Sequence, residues 1–414
     1  VTVLANRDGG LCVESVALTD IAARFGTPCF VYSRAALTAA YREFDGAFAA
    51  LPHLTCYAMK ANSNLAVLDV FARLGSGFDV VSGGELARVI AAGGDPRKVV
   101  FSGVGKTDAE LRQALELDIL SFNVESASEL ERLQRLSEHE GKVAPVSIRV
   151  NPDVDPKTHP YIATGLRESK FGIALDEALP LYRRAAKLPA IAVRGIDMHI
   201  GSQITLLDPY RQAATKVLGL VDRLAGEGIR LEHVDLGGGI GIRYHDETPV
   251  ELAAFAAMIA TLFRGRSETL LLEPGRRLTG NAGVLLTRVC YLKPGTEHSF
   301  AIVDAGMNDL LRPALYDAWH EVRPVRPRNA QPRTWQIVGP VCESADFLAR
   351  DRELALEEGD LLAILSAGAY AMAMSSNYNS RPRAAEVLVD GSTPHLVGRR
   401  ETVNELFARE SRLP

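Results

Sequence analysis

The sequence lacks what would take it out of the ordinary globular class. Cysteine is scarce and odd in number: five residues (Cys12, Cys29, Cys56, Cys290, Cys342), with no Cys-x-x-Cys pair and no Cys/His group at zinc spacing. That excludes a disulfide framework and a zinc ribbon, and fits reduced thiols. No uncharged apolar run approaches the length of a membrane span. The opening residues, VTVLANRDGG, show no basic stretch followed by an apolar one, so no secretory signal is read there and the cytoplasm is the expected location. Charge of one sign is also missing. The 46 Lys and Arg against 51 Asp and Glu leave a net charge of −5, so neither nucleic acid nor an anionic membrane is expected as a partner. There is no low-complexity tract or Ser/Gly linker, and 47% hydrophobic with 23% charged residues excludes wholesale disorder. A chain of 414 residues is longer than one core usually supports (about 250–300 residues), so two domains are expected.

What the chain does have is a rhythm. Short apolar or β-branched runs recur at His53–Lys60, Phe78–Ser82, Val99–Gly103, Leu120–Glu125, Val146–Asn151, Ile191–Gly201 (only its last part need be strand), His233–Gly239 and Leu270–Gly275. Helical patterns fill the gaps; Val67, Val70, Phe71 and Leu74 share one helix face. Ser82-x-x-Glu85, Thr107-x-x-Glu110 and Ser126-x-x-Glu129 have the form of capping boxes, each shortly after a run ends. Eight such alternations predict a (β/α)8 barrel, with an open doubly wound sheet as the competitor. Either fold gathers the strand C-terminal ends on one functional face, and those ends carry YAMKANSN, HIGSQ, DLGGGIG and EPGR. Beyond about Arg277, runs at Gly283–Leu292, Ser299–Ala305, Thr334–Val338, Leu361–Ile364 and Ala385–Val389 alternate with Pro/Gly turns, which predicts antiparallel sheet. The segment Cys29–Tyr32 is able to add a strand to it.

Two familiar motifs fail on inspection. Gly103-Val104-Gly105-Lys106-Thr107 is no P-loop, because Val100 stands where the first glycine belongs. Gly237-Gly238-Gly239-Ile240-Gly241 is no dinucleotide fingerprint, because Ile242 occupies its last glycine position. A glycine-rich turn after the seventh strand still suits a single phosphate, where barrels often bind one, although a plain tight turn is as common. A lone Lys60 at the end of the first strand reads as a surface lysine. Beside a phosphate-binding turn it also suits a Schiff base with pyridoxal phosphate, and Glu273 at the eighth strand end then suits the pyridine nitrogen. His199 would stack on a flat ring or move a proton, and residue type alone leaves both open.

On the segments YAMKANSN, FDVVSGGEL, THPYIATGLRESKFGI, HIGSQI, DLGGGIGI, EPGR, GPVCESADFL and GAYAMAMSSNYNSRPRAAEV, the chain resembles the fold-type III pyridoxal phosphate-dependent decarboxylases nearly end to end. The resemblance implies a (β/α)8 barrel over 33–276 that binds pyridoxal 5'-phosphate. It also implies a β-rich, sandwich- or barrel-like domain from 1–32 and 277–414 that contributes to the active site. Lys60 would carry the cofactor. Gly237, Gly238, Gly239, Gly241, Ser202, Gly275 and Arg276 would hold its phosphate end, Glu273 its pyridine nitrogen, His199 its ring face and Tyr370 both cofactor and substrate. Arg276, Arg312 and Tyr316 would bind substrate carboxylate and Glu343 the distal ammonium. Cys342 or Lys60 would be the general acid. A homodimer is implied, in which Cys342 and Glu343 serve the partner's site. Ala345 is a departure, standing where many relatives have glycine. The implied activity is decarboxylation of meso-2,6-diaminopimelate to L-lysine, the last step of lysine biosynthesis. The alternative is another basic amino acid, such as D-ornithine or D-lysine, on the same scaffold. No metal is expected.

Overall fold

The computed structural model describes residues 3–156, 158, 164 and 169–414. Most of THPYIATGLRESKFGI lies outside the described residues. Contacts divide the chain into a unit of residues 41–242 with 248–277 and a unit of residues up to 40, 243–247 and 278–414.

Among the described residues of the first unit, eight parallel barrel strands follow one another: His53–Ala58, Gly77–Val80, Val99–Phe101, Ser121–Val124, Ala144–Asn151, Ile191–Asp197, His233–Asp235 and Thr269–Leu272, and a two-residue strand, Ile173–Ala174, pairs in parallel with Ala144–Asn151 alone. The last pairs with the first, Leu270 opposite His53, so the sheet closes into a barrel and the open-sheet alternative is excluded. Lys60, His199, the glycine turn and Glu273 stand just beyond the strand ends, while Asp79, Arg149, Asp197 and Asp235 lie within the strands themselves. In the sixth run the expectation was reversed: its first seven residues, Ile191–Asp197, are the strand, and HIGSQ follows it.

The helices begin where the sequence places them. Thr107 and Glu110 form a complete reciprocal capping box. Ser82 and Ser126 accept the amides of Glu85 and Glu129, but the two glutamates reach one residue further back, to the amides of Val81 and Glu125. On the helix Leu65–Arg73, Val67, Val70 and Phe71 are buried, each worth about 1.5–3 kcal/mol against exposure, while Leu74 falls at the half-buried C-cap.

In the second unit, Cys29–Ser33 lies between Gly283–Lys293, antiparallel to it, and Ala385–Asp390, parallel to it. The sheet is thus mixed where purely antiparallel pairing was expected. A second parallel pair joins Phe300–Val303 to Arg333–Val338, whose connection is long enough to cross over and contains the short helix Arg312–Tyr316. Two further strands, Phe347–Leu354 and Thr393–Gly398, form the edges of this sheet. With a neighbour on one side only, both carry exposed residues, the first of them charged, and show little apolar alternation to read.

Candidate active site

The first strand ends at Ala58, and a single 3-10 turn, Met59–Ala61, lifts Lys60 away from the sheet. The Tyr57 hydroxyl donates to the Asn62 carbonyl at 2.8 Å, and Asn64 caps the next helix, so both flanks of the lysine are fixed. The half-buried Lys60 Nζ donates to Asp79 Oδ2 at 2.6 Å, and the Asp79 side chain is wholly buried on the second strand. Asp79 escaped the sequence reading. Its signal was an acid inside an otherwise apolar strand, a place acids occupy only when paired.

Beneath the strand ends, Asp197, Asp235 and Glu273 bring carboxylate oxygens within 4.8 Å of one another, all buried. Asp197 Oδ1, Asp235 Oδ2 and Glu273 Oε1 have no hydrogen-bond partner among the described residues. Arg149, on the fifth strand, reaches Glu125 at 3.1 Å and Asp197 at 3.8 Å. Burial, reinforced by the neighbouring acids, pushes Glu273 and Asp197 well above the carboxylate range and Asp235 up to about 7. Like charges this close in a dry site bind protons or a cation. A protonated pyridine ring meets that demand, and its N–H would give the orphaned Glu273 Oε1 a donor. The donor set therefore fits pyridoxal phosphate.

The same crowding has a pH consequence. Asp235 keeps its proton in the folded chain up to about 7 but loses it near its ordinary value of 3.8 when unfolded. Between those values the folded form binds more protons. The contribution is complete below the lower value and is lost as pH rises through the upper one. The cofactor-free protein should therefore melt at lower temperature as pH rises from about 5 to 8, and Asp235→Asn should flatten that slope. Calorimetry of both proteins across that range checks this; identical slopes would refute it.

His199 follows the sixth strand. Gly238 N–H donates to its Nδ1 at 3.1 Å, so the ring's own proton sits on Nε2. Loss of solvent, with the positive charges of Lys60 and Arg149, holds the imidazole well below its usual pKa, and the ring is neutral. The glycine turn is shaped by close backbone approach. Gly239 has φ +97°, and a Cβ there would lie 2.1 Å from the Gly201 carbonyl oxygen. A Cβ on Gly238 would lie 2.0 Å from the Glu273 carbonyl oxygen, so this turn is pressed onto the Glu273–Arg276 segment. Gly237 and Gly241 spend their amides on Asp235 Oδ1 (2.8 Å) and the Ile204 carbonyl (3.0 Å). Buried Arg276 donates to Ser202 Oγ at 3.0 Å, and Gly275 packs beneath Ala58. Lys60, His199, Ser202, the glycine turn, Glu273, Gly275 and Arg276 thus all stand on the strand ends of one barrel.

The other expected residues belong to the β-rich unit. Arg312 opens the helix Arg312–Tyr316 and is buried; Tyr316, at its other end, is half-buried. The Arg312 guanidinium lies over the Tyr244 ring, 4.4 Å from its centroid, and Nη1 is 3.0 Å from His320 Nε2. Cys342 and Glu343 are exposed on a loop that the buried Asp346 braces by accepting the amides of Met307 (2.6 Å) and Val341 (2.7 Å). The Cys342 amide donates to Asn379 Oδ1 at 2.7 Å. Tyr370 is held at φ +53°, a left-handed conformation rare for a large side chain and frequent at functional sites.

A closed parallel barrel with a lysine at its first strand end, a neutral histidine, a glycine turn and a floor of buried acids defines a pyridoxal phosphate-binding barrel. In agreement, residues 34–280 match the family described as pyridoxal-dependent decarboxylase, pyridoxal binding domain. The chain is 62% identical over 408 residues to the diaminopimelate decarboxylase of Pseudomonas aeruginosa, covering 99% of this chain and 98% of that one. The diaminopimelate decarboxylase of Helicobacter pylori, solved in complex with L-lysine, superposes with a TM-score of 0.92 at 41% identity, over 95% of this chain and 99% of that one. The corresponding enzyme of M. jannaschii, also with L-lysine, gives 0.95 at 37% identity over 99% and 98% of the two chains. The chain belongs to the diaminopimelate decarboxylase family.

Proposed function

We propose that the protein is a pyridoxal phosphate-dependent carboxy-lyase that converts meso-2,6-diaminopimelate to L-lysine and carbon dioxide. On this reading residues 33–276 hold the cofactor, and 1–32 with 277–414 supply groups to the substrate. The single observation that carries the substrate assignment, beside the family, is Arg312: a buried arginine fixed by an imidazole and an aromatic face, as a planar fork for a second carboxylate is fixed. A lysine or ornithine decarboxylase has no second carboxylate to answer.

When bound at Lys60, pyridoxal phosphate supplies the electron sink for the pair left behind as carbon dioxide departs. The chain's own residues do the rest. Asp79 holds the Lys60 side chain in place through their 2.6 Å contact. Glu273 would hold a proton on the cofactor's ring nitrogen, and neutral His199 would lie against its ring without adding positive charge. Arg276, Ser202 and the Gly237–Gly241 turn would hold its phosphate end, and Arg276 would also reach substrate carboxylate. Tyr316 and Arg312 take the distal carboxylate, and Glu343 the distal ammonium. Tyr370 touches cofactor and substrate, and Cys342 or Lys60 returns a proton to the α-carbon. The exposure of Cys342 and Glu343 in the single chain supports their donation to a partner's site in a homodimer. All five cysteines are free, which supports a reducing, cytoplasmic setting, and among the described residues no helix is long and apolar enough to cross a membrane.

The test is release of carbon dioxide by the loaded enzyme from meso-diaminopimelate, D-lysine and ornithine. The first should be turned over far faster. Arg312→Ala should lower kcat/KM for meso-diaminopimelate by about 100-fold, as loss of a charged hydrogen-bonding partner does, and leave the trace rate on D-lysine unchanged. Near-wild-type kinetics in that variant would contradict the assignment.

A further inference from the structure

His320 has no part in the reaction as described, yet it is completely buried and both of its ring nitrogens have defined neighbours. Nδ1 lies 2.8 Å from the Leu365 carbonyl oxygen, which only accepts, so Nδ1 carries the hydrogen. Nε2 then presents a lone pair, and it faces Arg312 Nη1, which only donates, at 3.0 Å. The neighbours' chemistry therefore fixes a single neutral tautomer.

The histidine is itself anchored. Leu365 N–H donates back to the Glu321 carbonyl at 2.8 Å, so the 320–321 segment is tied to Leu365 through side chain and backbone together. Arg352 Nη2 donates to the His320 carbonyl at 3.1 Å. The Tyr244 ring meets the imidazole edge-on, 5.3 Å between centroids at 74°, while its face carries the Arg312 guanidinium. One ring supports the plane of the guanidinium and the other fixes its rotation within that plane. A fork that binds carboxylate with two parallel bonds depends on both.

We propose that His320 is a positioning residue that orients Arg312 and thereby sets the preference for substrates bearing a second, distal carboxylate. The inference rests on the reading of Arg312 given above. His320→Asn retains an amide able to serve the Leu365 carbonyl but is too short to reach Arg312. His320→Gln brings an acceptor to the position of Nε2. With the loaded enzyme, His320→Asn should raise KM for meso-diaminopimelate about tenfold or more, the size expected when a hydrogen bond to a charged group is lost. The visible cofactor absorbance, kcat and the slow turnover of D-lysine should stay within about threefold, and His320→Gln should recover most of the lost KM. In a cycle with Arg312→Ala, the double variant should be no worse on meso-diaminopimelate than Arg312→Ala alone. Additive losses, or equal losses on both substrates, would show a merely structural histidine and overturn the proposal. If Arg312→Ala itself leaves KM unchanged, the reading of Arg312 fails and the proposal falls with it, an outcome recognisable because the arginine variant alone reveals it.

Discussion

Replacing Lys60 by alanine should abolish turnover, with kcat falling about ten-thousand-fold or more, the upper end for loss of one positioned proton-transfer group that is also the nucleophile. The geometry separates this chemical loss from a structural one. Lys60 is the partner of wholly buried Asp79, so truncation also strands a charge and costs stability. Lys60→Arg keeps a cation for Asp79 and cannot form the covalent link. If the lysine were merely the counter-ion of Asp79, arginine would restore activity. The expected result is that arginine restores the melting temperature and leaves kcat as low as alanine does. Steady-state kinetics and thermal unfolding of the three proteins decide between the two.

The second large effect lies at Glu273. Its carboxylate shares a buried floor with Asp197 and Asp235, with one oxygen unpartnered among the described residues. Glu273→Gln keeps the shape and removes the charge that would hold a proton on the ring nitrogen. A lost electrostatic contact of this kind costs about 100- to 1000-fold in kcat. Stability should move the other way. Three crowded acids repel one another and resist ionisation, so removing one relieves the cofactor-free fold. A lower kcat together with an equal or higher melting temperature, measured on one preparation, is the expected outcome. A fall in both would mean that Glu273 acts as a structural acid.

The parts of the fold legible in the sequence were those with local signals. Strand runs and the caps at Ser82, Thr107 and Ser126 are written in consecutive residues, and all three caps form. Closure of the sheet was not legible, because it depends on Leu270 meeting His53, more than two hundred residues away in sequence. The edge strands Phe347–Leu354 and Thr393–Gly398 were missed for want of a second neighbour and a buried face. The parallel pairing of Ala385–Asp390 with Cys29–Ser33 was hidden because two short apolar runs do not reveal direction. At the site, residues in turns with unusual composition were visible, among them Lys60 and the glycine turn. Asp79, Arg149, Asp197 and Asp235 were not legible because they lie within strands whose pattern is set by apolar neighbours. His320 had no local signal at all, since its role is defined by a carbonyl at Leu365 and a guanidinium at Arg312.

The most direct test of the account is to reduce the pyridoxal phosphate-loaded enzyme with borohydride and map the modified peptide. The account predicts loss of the visible band and a single reduced cofactor adduct on Lys60, formed no longer once meso-diaminopimelate has displaced the lysine. A colourless protein that takes up no cofactor, or an adduct on any other lysine, would contradict it.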